Sequence, residues 1–174
     1  ASTSPAASSV GRRGHPLLLP SGGPGRRYPA RMTTDAVNTR IWSDARAEIH
    51  QVVVGPMDNN VYVLRCRRSG DAVLIDAANE HDVLLELAKN LGVRQVLETH
   101  GHWDHIQAVT QMRDAGYSVG ITSEDASMLP SYDEILGDEE VIQVGDLRLH
   151  TIHTPGHTPG SMCFSIEGAP VLFS

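Results

Sequence analysis

Alternation of apolar and polar positions becomes regular at Ile49. Gln51–Val54 and Val61–Cys66 read as strands joined by a turn through Gly55, Pro56, Asp58 and Asn59. Ala72–Ile75 is a short apolar run after a Ser69-Gly70-Asp71 turn, and reads as a third strand. Asn79 is placed to cap a helix whose apolar face is Leu84, Leu87, Ala88 and Leu91, ended by Gly92. Arg94–Leu97 is the next strand, and Ile106, Val109 and Met112 form the face of a second helix that stops at Gly116. Strands are predicted again at Tyr117–Ile121, Val141–Val144, Leu147–Ile152, Met162–Ile166 and Val171–Phe173, with a short helix near Glu124–Leu129. Hairpins followed by helix–strand alternation predict a mixed α/β sheet with helices packed outside it.

Residues 1–31 carry no such period. They are rich in Ser, Gly, Pro, Ala and Arg, and lack the apolar surface to offset their ordering entropy. This segment holds Arg12, Arg13, Arg26, Arg27 and Arg31 and no acid, so the net charge of −7 conceals a remainder of −12. A Ser- and Arg-rich leader is compatible with organelle import. Pro16, Pro20, Pro24 and Pro29 would break an import helix, and favour translated upstream sequence before a true start at Met32. The predicted domain is therefore 32–174, in the cytoplasm. An acidic body repels phosphate backbones and counts against general nucleic-acid binding, and no apolar run reaches the ~18 residues of a membrane span. The expected partner is a small-molecule substrate, and the oligomeric state is left open. Cys66 and Cys163 sit in apolar runs and read as free thiols of a reducing compartment. Composition stands out in one respect: nine histidines.

Four of them carry the chemistry. Behind the strand ending at Leu97 comes Thr99-His100-Gly101-His102-Trp103-Asp104-His105, an H-x-H-x-D-H pattern of four ligand-competent side chains. In extended chain His100 and His102 point the same way and can meet at one ion. Asp104 and His105, expected to open the following helix, can diverge toward a second. Imidazole and carboxylate donors favour zinc, with iron or manganese as alternatives. The Pro/Gly-rich loop Thr154-Pro155-Gly156-His157-Thr158-Pro159-Gly160-Ser161 presents His157, which would complete a three-histidine site open to water. Asp76, at the end of an apolar strand, either hydrogen-bonds these ligands from behind or only shapes a turn. Trp103 is expected to pack, His50, His81 and His150 to lie on the surface, His153 to sit at a strand edge, and the acidic run Asp133–Glu140 to be a solvated loop.

With the upstream GPMDNNVYVL and AVLIDAAN segments, these motifs resemble the metallo-β-lactamase superfamily, and within it the glyoxalase II-like hydrolases. The resemblance runs from about Ile49 to Ser174. It implies an αββα four-layer sandwich with the site at one edge between two sheets. It also implies one metal on His100, His102 and His157 and a second on Asp104 and His105. Zinc is the implied cofactor, two ions per complete protein. The family's bridging Asp and last His would follow Ser174, so by this resemblance the fold and second site are incomplete at the C-terminus. The implied activity is hydrolysis of a thioester, lactone or amide by metal-activated water, with Asp104 orienting the nucleophile. An iron-dependent persulfide dioxygenase, a tRNA-processing nuclease and an inactive fragment are the alternatives.

Overall fold

The computed structural model describes residues 39–174. The leader 1–31 and the expected start at Met32 lie outside the described residues.

Seven strands run in chain order across one sheet: β1 (Arg40–Ser43), β2 (Ala47–Val54), β3 (Asn59–Cys66), β4 (Ala72–Ile75), β5 (Val93–Leu97), β6 (Ser118–Thr122) and β7 (Glu134–Leu136). The β1–β4 pairs are antiparallel, whereas β4–β7 pair in parallel. Parallel neighbours need a crossover. Helix α1 (His81–Leu91) supplies one between β4 and β5, and α2 (Val109–Asp114) another between β5 and β6. The second sheet is antiparallel and holds β8 (Val141–Val144), β9 (Leu147–His153), β10 (Met162–Ile166) and β11 (Leu172–Phe173).

The period-2 pattern divides the strand residues between two cores. Val52, Val63 and Leu74 face Leu84, Leu87, Val109 and Met112 of the helices. Ile49, Leu64 and Ile75 face the other way, onto Leu149, Met162 and Phe164 of the second sheet. The described residues thus form a helix layer, a sheet and a sheet. Among them no helix is long and apolar enough to cross a membrane.

Several local expectations change. β1 and β7 are additional edge strands, and the second lies inside the acidic run read as loop. Its flank is fixed too: Asp133 pairs with Arg113 at 2.5 Å and accepts the Val119 N–H at 2.9 Å. Asn79 does not cap α1. The N-cap is Glu80 in a left-handed conformation, and Asn79 bonds the Gln107 side chain instead. Gly92 does end the helix, at φ 77°, where a Cβ would strike the Gly70 carbonyl. Asp104 and His105 lie in turns ahead of α2, as does Ile106, because the helix starts only at Val109. The two cysteines are free, Cys66 buried and Cys163 half-buried.

His50 is the clearest reversal, at 2% exposure rather than on the surface. It lies on the helix-facing side of β2, where Thr39 Oγ1 meets Nδ1 at 2.9 Å. Burial pushes its pKa below the ordinary 6.5, against the pull of Glu48. The folded protein thus resists a proton that the unfolded chain accepts. The resulting stability is present above pH 6.5 and is lost as pH falls from 6.5 toward the folded value. We expect the melting temperature of the metal-free protein to decline through that window. His50→Gln should make the decline shallower and His81→Gln should leave it alone; an unchanged slope in His50→Gln would refute the assignment.

Candidate metal centre

The candidate side chains gather beyond the carboxyl ends of β4, β5 and β6, where parallel α/β sheets leave loops free of ladder bonds. Asp76 follows β4, the histidine-rich segment follows β5, and Asp125 follows β6. The second sheet brings in the loop between β9 and β10. Its exit into β10 is tied to the segment after β5 by the Met162 N–H, which donates to Thr99 O at 2.8 Å.

His100, His102 and His157 converge, with one ring nitrogen from each lying within 4.8 Å of the others. His102 Nδ1 and His157 Nε2 are 3.0 Å apart. Two nitrogens each ~2.0–2.1 Å from a tetrahedral zinc are about 3.3 Å apart, so this spacing suits a shared ion. The three rings stand nearly edge to face, at centroid distances of 4.6–4.9 Å. His100 is 7% exposed, and its Nε2 is buried with no hydrogen-bond partner. An orphaned imidazole nitrogen in a protein interior is costly, and a cation would satisfy it. Burial, and then the neighbouring histidines, push the His100 pKa down to about 4, so the ring is neutral at pH 7 as a ligand must be.

Asp104 and His105 form a second group beside the first. The His100 and His105 centroids are 4.2 Å apart. Asn59, at the start of β3, donates its amide to Asp104 Oδ2 at 3.1 Å and lies 3.3 Å from His105 Nε2. Burial works against ionising Asp104, but the Asn59 amide and the neighbouring histidines hold its pKa below the ordinary carboxylate value.

Asp76 supports both groups from behind. With φ 63° and 4% exposure, it accepts from Thr99 N at 2.7 Å and from Thr99 Oγ1 at 2.8 Å. Its Oδ2 also lies 2.9 Å from His105 Nδ1. That bond, above all, raises the His105 pKa and leaves its Nε2 facing the Asp104 side. Thr99 Oγ1 in turn contacts His100 Nδ1 at 2.9 Å. Of the two readings of Asp76, the supporting one describes its contacts. Beneath it Glu98, fully buried, accepts the Ala77 N–H; burial and the Asp76 charge push its carboxyl well above the usual range.

His153 stays apart from the cluster, as its strand-edge position predicts, with its Nε2 2.9 Å from Pro159 O. Trp103 does not pack: at 62% exposure it stands open between His102 and Asp104. Sequence reasoning missed Asn59, Thr99 and Asp125. Asn59 and Thr99 read as turn and strand-end residues, and nothing in one sequence marks them further. Asp125 follows Thr122, Ser123 and Glu124 in a polar run, so nothing local sets it apart from its neighbours.

The sequence profile of the metallo-beta-lactamase superfamily matches residues 54–174, well over half the chain. The chain belongs to the metallo-beta-lactamase superfamily. The hydroxyacylglutathione hydrolase of Rhodospirillum rubrum is 32% identical to it over 129 residues, covering 72% of this chain and 50% of the relative. The chain therefore spans about half the length of the hydroxyacylglutathione hydrolases it matches. Among solved structures, the BLEG-1 B3 metallo-beta-lactamase aligns with a TM-score of 0.63 at 28% identity, covering 72% of this chain and 70% of its own. ETHE1 from Myxococcus xanthus shares the fold with a TM-score of 0.59 at 24% identity, over 68% of this chain and 53% of its own. Membership in the superfamily matches the expected α/β sandwich, and its metal-binding character fits the histidine cluster.

Proposed function

We propose that this metallo-beta-lactamase-fold chain serves a hydrolase that cleaves thioesters in the manner of glyoxalase II, with lactones and amides as poorer substrates. The observation that carries the reading is the convergence of His100, His102 and His157 around the orphaned Nε2 of His100. In this reading those three imidazoles hold one divalent cation, preferably zinc. Asp104 and His105 offer donors to a second. A cation bound there supplies a Lewis acid for the carbonyl oxygen and brings the pKa of water toward ~7.

The chain's own residues do the rest. Asp104, fixed by Asn59, accepts a proton from the attacking water and aims its oxygen at the carbonyl carbon. Asp76 holds the His105 ring against rotation. Trp103 presents an open apolar face where the acyl part of a substrate would lie. Water adds to the carbonyl carbon, the C–S bond breaks, and acid and thiol leave, the proton from water passing to the thiolate. Glutathione relatives make a hydroxyacylglutathione the first substrate to try. The two free thiols suit a cytoplasmic setting.

The test is hydrolysis by the zinc-loaded chain of a hydroxyacylglutathione, a γ-lactone and an anilide. We expect thioester cleavage well above the other two, abolished by a chelator and restored by zinc. No turnover at full zinc loading would refute the proposal. Stoichiometric iron in the purified chain, with oxygen uptake on a glutathione persulfide, would replace it by the dioxygenase reading.

A further inference from the structure

Asp125 is an acid with 0% exposure, yet it touches none of the histidines. Its carboxylate is fully engaged by two loops that the chain separates widely. Oδ2 accepts the Gly101 N–H at 3.0 Å and the Thr158 hydroxyl at 2.6 Å, while Oδ1 accepts the Gly160 N–H at 2.9 Å. Gly101 lies between His100 and His102, and Thr158 follows His157. One buried side chain therefore joins both segments that carry the converging imidazoles.

The surroundings show that this joint is built closely. A Cβ on Gly160 would collide with the Thr122 hydroxyl and the Asp125 carboxyl. A Cβ on Gly101 would meet the Met128 side chain and the Asp125 carbonyl. Thr122 Oγ1 adds a bond of 2.8 Å to Gly160 O, and Ser161 Oγ meets Thr158 Oγ1 at 2.9 Å. The 3-10 turn Ala126–Met128 that begins behind Asp125 anchors it, through buried Ala126, in the helix-side core. His102 and His157 themselves are half-buried and exposed, with little packing of their own to place them.

We propose that Asp125 is a positioning residue that locks the His157 loop to the His100–His102 segment, so that three imidazoles from two sheets are aligned before a cation arrives. A carboxylate suits this task because it accepts in several directions and donates in none, whereas an amide would turn an N–H₂ toward at least one of three donors. Thr158 is the weaker half of the lock. Its hydroxyl both donates to Asp125 and contacts Ser161, so removing it leaves the His157 loop joined to Asp125 through the Gly160 N–H alone while sparing the Gly101 side. The inference rests on the reading of His100, His102 and His157 as ligands.

The experiment titrates cobalt(II) into the metal-free chain and its variants, reading affinity and the visible absorption of the saturated site. Asp125→Asn should weaken cobalt binding about 10–100-fold, the range for residues that orient metal ligands. Its saturated spectrum should lose the intensity of a tetrahedral site. Thr158→Val should shift both readouts in the same direction, and Thr158→Ser should restore them, since serine keeps the hydroxyl. Far-ultraviolet circular dichroism of the apo variants identifies any that fail to fold, and the Thr158 pair then decides. Wild-type affinity and spectrum in folded Asp125→Asn or Thr158→Val would overturn the lock and leave the metal site standing. A wild-type chain that binds no cobalt or zinc would overturn the metal site, and the lock with it.

Discussion

His157→Ala is expected to lower zinc affinity by about 10²–10³-fold and to remove metal-dependent hydrolysis. Structural zinc sites with four ligands are worth roughly 10–16 kcal/mol, so each ligand accounts for about 2.5–4 kcal/mol. His157 is suited to this comparison because it is exposed and contributes nothing to either core. The fold should survive its removal. His102→Ala should behave alike, since its Nδ1 is the nitrogen 3.0 Å from His157 Nε2. His153→Ala is the control, because its ring is engaged by Pro159 O and stands apart from the cluster. Competition with a chromophoric chelator measures all three. If His153→Ala lost zinc while His157→Ala kept it, the proposed ligand set would be wrong.

The second large effect is on stability. Asp76→Ala strips the Thr99 N–H and hydroxyl of their acceptor in a buried site and leaves alanine at φ 63°. Each unpaired buried donor costs about 1–3 kcal/mol, and alanine lacks the local side-chain hydrogen bonding that lets aspartate tolerate left-handed backbone. A total of roughly 2–4 kcal/mol corresponds to a fall of about 5–15 °C in melting temperature. Asp76→Asn should recover much of it, because asparagine tolerates left-handed backbone and its carbonyl can still accept from Thr99. It should not recover the His105 orientation fully, since an amide has one acceptor oxygen where the carboxylate uses two. Calorimetry on the apo proteins separates the two variants. Equal melting temperatures for wild type and Asp76→Ala would show that Thr99 finds another acceptor.

Elements whose signal is local were readable in advance. The α1 face of Leu84, Leu87, Ala88 and Leu91 is buried as its spacing requires. The alternation in Gln51–Val54 and Val61–Cys66 sends Val52 and Val63 to one core and Leu64 to the other. Edge strands were harder to see. Arg40-Ile41-Trp42-Ser43 is mostly exposed, and Glu134-Ile135-Leu136 buries only its last residue, so neither carries the contrast that burial on one face imposes. The first turn of α1 was misread because Asn79 found a partner 28 residues away, and a local rule cannot weigh a distant bond.

The same division holds at the site. By itself the sequence determined that His100, His102, Asp104 and His105 would be neighbours, because six consecutive residues cannot separate, and it marked His157 as the side chain presented by a Pro/Gly-rich loop. Tertiary structure decided that the expected meeting of His157 with His100 and His102 spans two sheets, and it alone decided that His50 is buried and that Trp103 stands open. It also decided that Asp125, an ordinary acid in the chain, and Asp76, whose strand-end position left two readings open, become the fixed acceptors that hold the loops and rings in place. Covalent proximity is written in residue order, whereas the pairing of a buried carboxylate depends on which donors the packed sheets deliver to it.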